Sequence, residues 1–261
     1  MLVGSNLLGR QAGACPTWER DGFVVLREFF SKDQVRELID ETDRLLTQRR
    51  DLIDPFNLRC RFMPHHETGD LLFEVFDPVN EVAPVCQRIC HDPKLVEFVS
   101  SIYGEPACLF KEKLIFKPAG ARGYDTHQDI PLAWKNFPRT FLTVLIPIDA
   151  CDRDNGCTYV YPGYHGDFLS QDPNVYMLQP GVVDEDRRVD LILEPGDVAI
   201  FHGLTPHGSA PNRSGGMRRA FFVSYNALSD GGDQRETHYA TFRERMRGRF
   251  AEEERGKVFY R

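Results

Sequence analysis

The sequence lacks three features that would each point to a particular class of protein. No apolar run approaches the length of a transmembrane helix, and the first twenty residues lack the apolar core of a signal peptide. The seven cysteines include no CxxC pair, which argues against a thiolate zinc site and favours reduced thiols in a cytoplasmic protein. A net charge of −7 offers no basic face to a nucleic acid or an anionic membrane, so we expect neither partner.

The N-terminal part of the 261-residue chain has mostly helical patterns. Ser31 and Gln34 form a capping box ahead of residues with helical apolar spacing, and a second helical stretch over 81–103 is interrupted near "HDPK". Residues 22–30 resemble a short strand. The segment 54–70 has no usable period, so we predict a loop there that covers a site as a lid.

From about residue 108 the pattern changes to short runs rich in β-branched and aromatic residues. Turn signals such as "NG" and "EPGD" separate these runs, as in a β-barrel or sandwich. The basic cluster "RMRGRF" (245–250) has acidic neighbours, and we predict that it forms a solvated helix face. A single domain is expected, with N-terminal helices over about 17–104, a β-core over about 105–230 and a C-terminal helix over about 236–250.

A histidine and an aspartate stand two residues apart in "DTHQDIPLAW", at the end of a predicted strand. Because alternate strand residues face the same way, His127 and Asp129 can reach one small ion together. An isolated HxD pair is more often a solvated strand end, so a third ligand is needed. His202 and His207 are both candidates, and either would complete a 2-His-1-carboxylate triad of the kind that binds iron(II).

Four stretches of the chain resemble the phytanoyl-CoA dioxygenase family of iron(II)/2-oxoglutarate-dependent oxygenases, which includes ectoine hydroxylase. They keep the family's order and are "THQD" (126–129), "DNGCTYVYPGYH" (154–165), "LEPGDVAIFHG" (193–203) and "PHGSAPNRSGGMRRA" (206–220). The resemblance implies a mainly β fold, a double-stranded β-helix of the jelly-roll or cupin type, with flanking α-helices. It also implies Fe(II), 2-oxoglutarate and O2 as cofactor and cosubstrates, and His207 as the third metal ligand.

The same resemblance implies a clamp for the far carboxylate of 2-oxoglutarate. It assigns this role to Arg218, whose guanidinium matches a carboxylate with two parallel hydrogen bonds, with help from Ser209. Adjacent strand residues face opposite ways, so only one of Arg218 and Arg219 can point inward. The spacing from His207 favours Arg218.

Three further positions are expected to line the cosubstrate pocket. The resemblance implies Gln128, within "HQD", and Lys113, on the strand that precedes this motif. Thr143 is a polar candidate two residues before Leu145, where a family member has a tryptophan that touches the cosubstrate.

The family's reaction joins decarboxylation of 2-oxoglutarate, which gives succinate and CO2, to hydroxylation of an unactivated C–H bond. We therefore predict a 2-oxoglutarate-dependent dioxygenase acting on a small metabolite, as a monomer or a homodimer. The alternative is a metal-dependent barrel without oxygenase activity, either an isomerase or a small-molecule-binding module. Asp129 together with Arg218 favours the oxygenase, because a binding module needs neither an open iron site nor a carboxylate clamp.

The substrate is expected to be small and polar or anionic, because basic and aromatic residues surround the metal motif and occupy the predicted lid. An amino-acid-like compound, a phosphonate and a natural-product intermediate all fit this description. Core packing or solvation explains each candidate residue at least as well as substrate contact. The candidates are Trp134, Ile130, Tyr124, Arg59, Arg61, His65 and Phe73.

We predict that the enzyme hydroxylates and does not halogenate. In chlorinating relatives glycine or alanine replaces the carboxylate of HxD, which leaves an iron position for halide, whereas this chain has Asp129. Mass spectrometry of the product formed in excess chloride or bromide should detect hydroxylation alone. A halogenated product would show that Asp129 is not a ligand despite its spacing from His127.

Overall fold

Antiparallel strands form the core of the described part of the chain. In this computed structural model the described residues are 16–129, 138–170, 172, 175 and 177–261, so the candidates Ile130 and Trp134 lie outside them. The strands are β1 (Phe23–Leu26), β2 (Cys60–Pro64), β3 (Leu71–Phe76), β4 (Ala107–Lys117), β5 (Tyr124–His127), β6 (Leu142–Pro147), β7 (Thr158–Val160), β8 (Val189–Asp190), β9 (Val198–His202), β10 (His207–Ser209) and β11 (Arg218–Ala227).

Two antiparallel sheets face each other. The larger has the order β1-β9-β6-β11-β4-β3-β2, and the smaller has the order β5-β10-β7-β8. Between them lies an apolar cluster that includes Val75, Ile115, Leu145 and Phe222 from the large sheet and Val160 from the small one. This architecture confirms the predicted double-stranded β-helix with flanking helices.

Helices cover the outer face of the large sheet. They are α1 (Pro16–Asp21), α2 (Lys32–Thr47), α3 (Pro84–Cys90) and α4 (Pro93–Tyr103), followed near the C-terminus by α5 (Arg235–Arg247). The predicted capping box is present, since Ser31 accepts from the Gln34 amide and the Gln34 side chain accepts from the Ser31 amide. Leu38, Leu95 and Phe221 belong to the buried cluster between these helices and the sheet.

The prediction of a loop over 54–70 was wrong. Cys60–Pro64 is an edge strand of the large sheet and pairs with Leu71–Phe76. Neither strand was predicted from the sequence. An edge strand has one neighbour and a half-exposed face, so its apolar alternation is weak, and only the pairing partner reveals it.

The C-terminal helix lies as predicted and packs against β4. Tyr239, Phe242 and Met246 form its buried face, together with Leu58 and Val258. No helix among the described ranges has the length and apolarity needed to cross a membrane.

Candidate active site

The pairing of β5 with β10 brings the two halves of the metal motif together. In this antiparallel register His127 lies directly across from His207, and β10 pairs on its other side with β7. The Asp129 amide donates to the carbonyl of Gly203 at 2.7 Å. This bond joins the segment that follows β5 to the turn before β10. Two segments about eighty residues apart in sequence therefore meet at one point.

His127, Asp129 and His207 form a compact group that can hold a metal ion. Their candidate ligand atoms lie within 4.8 Å of one another. Asp129 Oδ1 is 3.7 Å from His127 Nε2, and Asp129 Oδ2 is 3.8 Å from His207 Nε2. His202 is not part of this group; its Nδ1 accepts from the Leu204 amide.

Backbone carbonyls orient both imidazoles for metal binding. The Nδ1 atoms of His127 and His207 lie 2.7 and 2.9 Å from the carbonyls of Asp125 and Thr205, so each ring keeps its Nε2 lone pair for a ligand bond. Burial lowers the pKa of both histidines, in the case of His207 to about 3. Both rings are therefore neutral at physiological pH, as a metal ligand must be.

Positive charge surrounds Asp129. Burial opposes its ionisation, but the positive charges of Lys111 and Lys113 contribute to holding its pKa far below the usual value. Thr143 donates a hydrogen bond of 3.3 Å to Asp129 Oδ2, so this predicted pocket residue orients a metal ligand. The carboxylate is therefore ionised and held in place for an ion.

A second group of buried polar residues lies along the barrel from the metal triad. Lys117 donates to Ser209 Oγ at 2.8 Å, and Arg218 donates from Nη2 to the carbonyl of Gly156 at 2.7 Å. Gly156 has φ of 72°, and a Cβ there would lie 2.3 Å from the carbonyl oxygen of Ala210, so glycine is required at this turn. The buried Nε of Arg218 has no hydrogen-bond partner among the described residues, which fits an anion that accepts from it.

The two adjacent arginines face opposite ways, as the register argument predicted. Arg218 is 2% exposed and lies inside the barrel. Arg219 lies on the helix-covered face, where it makes ion pairs with Asp149 and Asp43 and donates to Thr42. Arg219 therefore links β11 to α2.

A cavity of about 440 Å³ opens from the metal triad, within the range of small-molecule sites. Of the residues predicted for the site, His127, Asp129, Tyr124, Lys113 and Arg61 line it. Further lining residues come from β2, β3, β4, β5, β11, α5 and connecting segments, and they are Met63, Val75, Asp77, Lys111, Glu112, Ile115, Arg122, Asp125, Met177, Phe222, Ser224, His238, Phe242, Arg245 and Arg249.

Several predicted contacts lie elsewhere. The Gln128 side chain bonds the backbone of Asp167, Leu204 and Leu169, so its amide holds a neighbouring loop instead of facing the cavity.

Phe73, His65 and Arg59 are also outside the cavity lining. Phe73 packs against Phe76 and Phe116 on the helix side of the sheet, because an extra residue in β3 reverses the direction of the Phe73 side chain. His65 caps the turn that follows it and stacks on His66. Arg59 is buried against the carbonyl of Arg261, so the C-terminus immobilises it.

Sequence reasoning missed Lys111 and the contribution of α5. Lys111 stands two residues before Lys113, so strand alternation could have placed both on the same face. Arg245 and Arg249 belong to the cluster predicted to be a solvated helix face; they are exposed but also line the cavity mouth. No local sequence pattern reveals that these arginines line the cavity, because their position depends on where α5 packs.

Two histidines and one carboxylate inside an antiparallel β-barrel, beside an open cavity, define the class of mononuclear non-haem iron(II) oxygenases. The chain belongs to the phytanoyl-CoA dioxygenase (PhyH) family, whose sequence profile matches residues 18–220. This membership confirms the predicted family and the predicted 2-oxoglutarate-dependent dioxygenase class. It does not support the alternative of a barrel without oxygenase activity.

Two relatives are similar over most of their length. The chain is 35% identical over 230 residues to a methylphosphonate hydroxylase of Gimesia maris, covering 85% of this chain and 83% of the relative. It is 31% identical over 232 residues to a 2-aminoethylphosphonate dioxygenase of an uncultured bacterium, covering 88% and 86%. A crystal structure of EctD from Sphingopyxis alaskensis with 2-oxoglutarate and 5-hydroxyectoine has the same fold, with a TM-score of 0.66, 23% identity and coverage of 89% and 83%.

His207→Ala should abolish specific metal binding, and His202→Ala should leave it intact. Mutation of groups that merely orient a ligand costs 10–100-fold in metal affinity, so loss of a ligand should cost at least about a hundredfold. Anaerobic titration with Fe(II) or Co(II), followed by absorption and metal content, measures this. Metal retained in His207→Ala but lost in His202→Ala would reverse the assignment of the distal ligand.

Proposed function

We propose that this protein is an iron(II)- and 2-oxoglutarate-dependent hydroxylase of a small organophosphonate. The observation that carries the proposal is a single cavity lined by two residues of the metal triad, His127 and Asp129, and by Lys111 and Lys113. The named activities of the two relatives on 2-aminoethylphosphonate and methylphosphonate support the same substrate class.

His127, Asp129 and His207 would hold iron(II) on one face and leave its other positions for cosubstrate, oxygen and the reaction. Iron with 2-oxoglutarate and O2 supplies the oxidising chemistry that hydroxylates a C–H bond. Arg218 and Ser209 would bind the far carboxylate of 2-oxoglutarate, and the unpartnered Arg218 Nε supports this role. Ile115, Phe222 and Leu145 belong to the apolar cluster beside this group and would limit water there.

The charges of the cavity favour a substrate with an anionic head. Lys111 and Lys113 on β4 line the cavity. Arg122, Arg245 and Arg249 add positive charge to its lining. Of the four acidic lining residues, Asp77 is paired with Arg61, Glu112 with Arg235, and Asp129 belongs to the metal triad, which leaves Asp125 against the basic lining residues. A phosphonate carries up to two negative charges and three acceptor oxygens, which lysine and arginine donors can satisfy together.

Lys111 and Lys113 are the residues we assign to the phosphonate. Both line the same cavity as His127 and Asp129, and their charges lower the pKa of Asp129. A phosphonate bound to them would bring its carbon atoms close to the iron position, as hydroxylation requires.

Arg218→Ala should raise the concentration of 2-oxoglutarate needed for half-maximal turnover by about a hundredfold or more. Loss of a buried charged partner costs about 3–5 kcal/mol. Arg219→Ala should change this concentration little, because its partners are Asp149 and Asp43, and should instead lower the melting temperature. Steady-state succinate release and thermal unfolding of both variants measure the two effects. The opposite ranking would contradict the assignment of the clamp.

Methylphosphonate and 2-aminoethylphosphonate should stimulate succinate release and become hydroxylated, whereas the matched methylsulfonate and acetate should not. Lys111→Met should raise the KM for the phosphonate at least about tenfold by removing a charge-assisted hydrogen bond, with little effect on the KM for 2-oxoglutarate. Lys257→Met, at an exposed site on the C-terminal segment, is the matched control. Equal stimulation by the carboxylate and sulfonate analogues would rule out phosphonate selectivity.

A further inference from the structure

Glu74 is a buried carboxylate that no role assigned above uses. Its exposure is 0%, and among the described residues neither of its oxygens is within ion-pair distance of a cation; the Tyr124 hydroxyl is its hydrogen-bonding neighbour. Glu74 is also the extra residue of a β-bulge, because Arg61 pairs with Val75 while the next residue, Phe62, pairs with Phe73. Bulges of this kind redirect a side chain, often next to active sites. A buried charge without an ion-pair partner is costly, so its position calls for a function.

Positive groups face Glu74 from three elements. Strands β3, β4 and β11 are neighbours in the large sheet, and Lys117 on β4 lies directly across from Arg218 on β11. Both cations are buried, and both act on the Glu74 carboxylate, together with Tyr124 and Arg122 from the region of β5. Glu74 is thus the negative charge beside the cations that the proposed function assigns to 2-oxoglutarate.

We propose that Glu74 is a positioning residue that serves as an internal counter-ion for Lys117 and Arg218 and competes with the far carboxylate of 2-oxoglutarate. The inference rests on the proposed cosubstrate clamp. Without cosubstrate, the Glu74 carboxylate balances part of the buried positive charge. When 2-oxoglutarate binds, a second carboxylate enters the same low-dielectric region, and repulsion between the two favours the protonated form of Glu74.

The titration of Glu74 supports this competition. Burial raises its pKa to about 7, while Lys117, Tyr124 and Arg218 oppose the rise. Burial and the nearby Arg218 lower the pKa of Lys117 to about 7 as well. As the pH rises through about 7, Glu74 therefore gains negative charge and Lys117 loses positive charge. Because the ionised form repels the cosubstrate, the affinity for 2-oxoglutarate should fall as the pH rises across this range.

Glu74→Gln tests the proposal, because it keeps the shape of the side chain and removes the charge. Calorimetric titration of 2-oxoglutarate into the anaerobic Fe(II)-loaded protein should give a Kd about tenfold lower for the variant than for the unmodified protein at pH 8. The two Kd values should be nearly equal at pH 6. If Glu74 had only a structural role, its replacement would weaken binding, and the Kd of the variant would be higher than that of the unmodified protein at both pH values.

Two controls separate the far-carboxylate interaction from other effects. Asp149→Asn removes a carboxylate from Arg219 on the opposite face of β11 and should leave the Kd for 2-oxoglutarate unchanged. The ligand 2-oxobutyrate has the 2-oxo acid group but no far carboxylate, so its Kd should not respond to Glu74→Gln.

The possible results distinguish this inference from the proposed function. No saturable binding of 2-oxoglutarate to the unmodified protein would refute the proposed function itself. Normal binding with an equal or higher Kd in Glu74→Gln at pH 8 would overturn the role of Glu74 alone. If the variant does not fold, the unmodified protein decides, since a Kd that does not rise between pH 6 and pH 8 also overturns the proposal.

Discussion

The register between β5 and β10 is the constraint on which the site depends. His127 and His207 lie opposite each other in this pairing, and Asp129 follows within reach of both imidazoles. A shift of one residue would turn one histidine to the other face of the small sheet and separate the ligands. The Asp129–Gly203 backbone bond and the pairing of β10 with β7 hold this register. The metal site is thus a product of strand pairing.

Charge inside the barrel follows from the alternation of one long strand. Lys111, Lys113 and Lys117 share one face of β4, while the carboxylate of Glu112, between them, pairs with Arg235. Buried cations are unfavourable unless anions balance them. Asp129 and Glu74 lie among these cations and offset part of their charge. The same alternation places Arg218 inside and Arg219 outside on β11.

The substrate cavity depends on elements from both ends of the chain. Arg61 on β2 and Phe242, Arg245 and Arg249 from the C-terminal region line the same cavity as His127 and Asp129. The helix α5 contacts β4, the strand that carries Lys111 and Lys113. Substrate selectivity can therefore change through β2 and α5 without altering the metal ligands, which lie on other strands.

The sequence by itself determined the features that local pattern controls. Capping chemistry predicted the start of α2 at Ser31, turn residues and short β-rich runs predicted the barrel, and the HxD spacing predicted two ligands on one face. Tertiary structure alone decided the rest. Three features depend on partners that are distant in sequence. They are the edge strand β2, the bulge that turns Phe73 outward and Glu74 inward, and the hydrogen bonds of Gln128 to a loop backbone. Side-chain direction follows from pairing and packing across the fold, and local sequence does not record those partners.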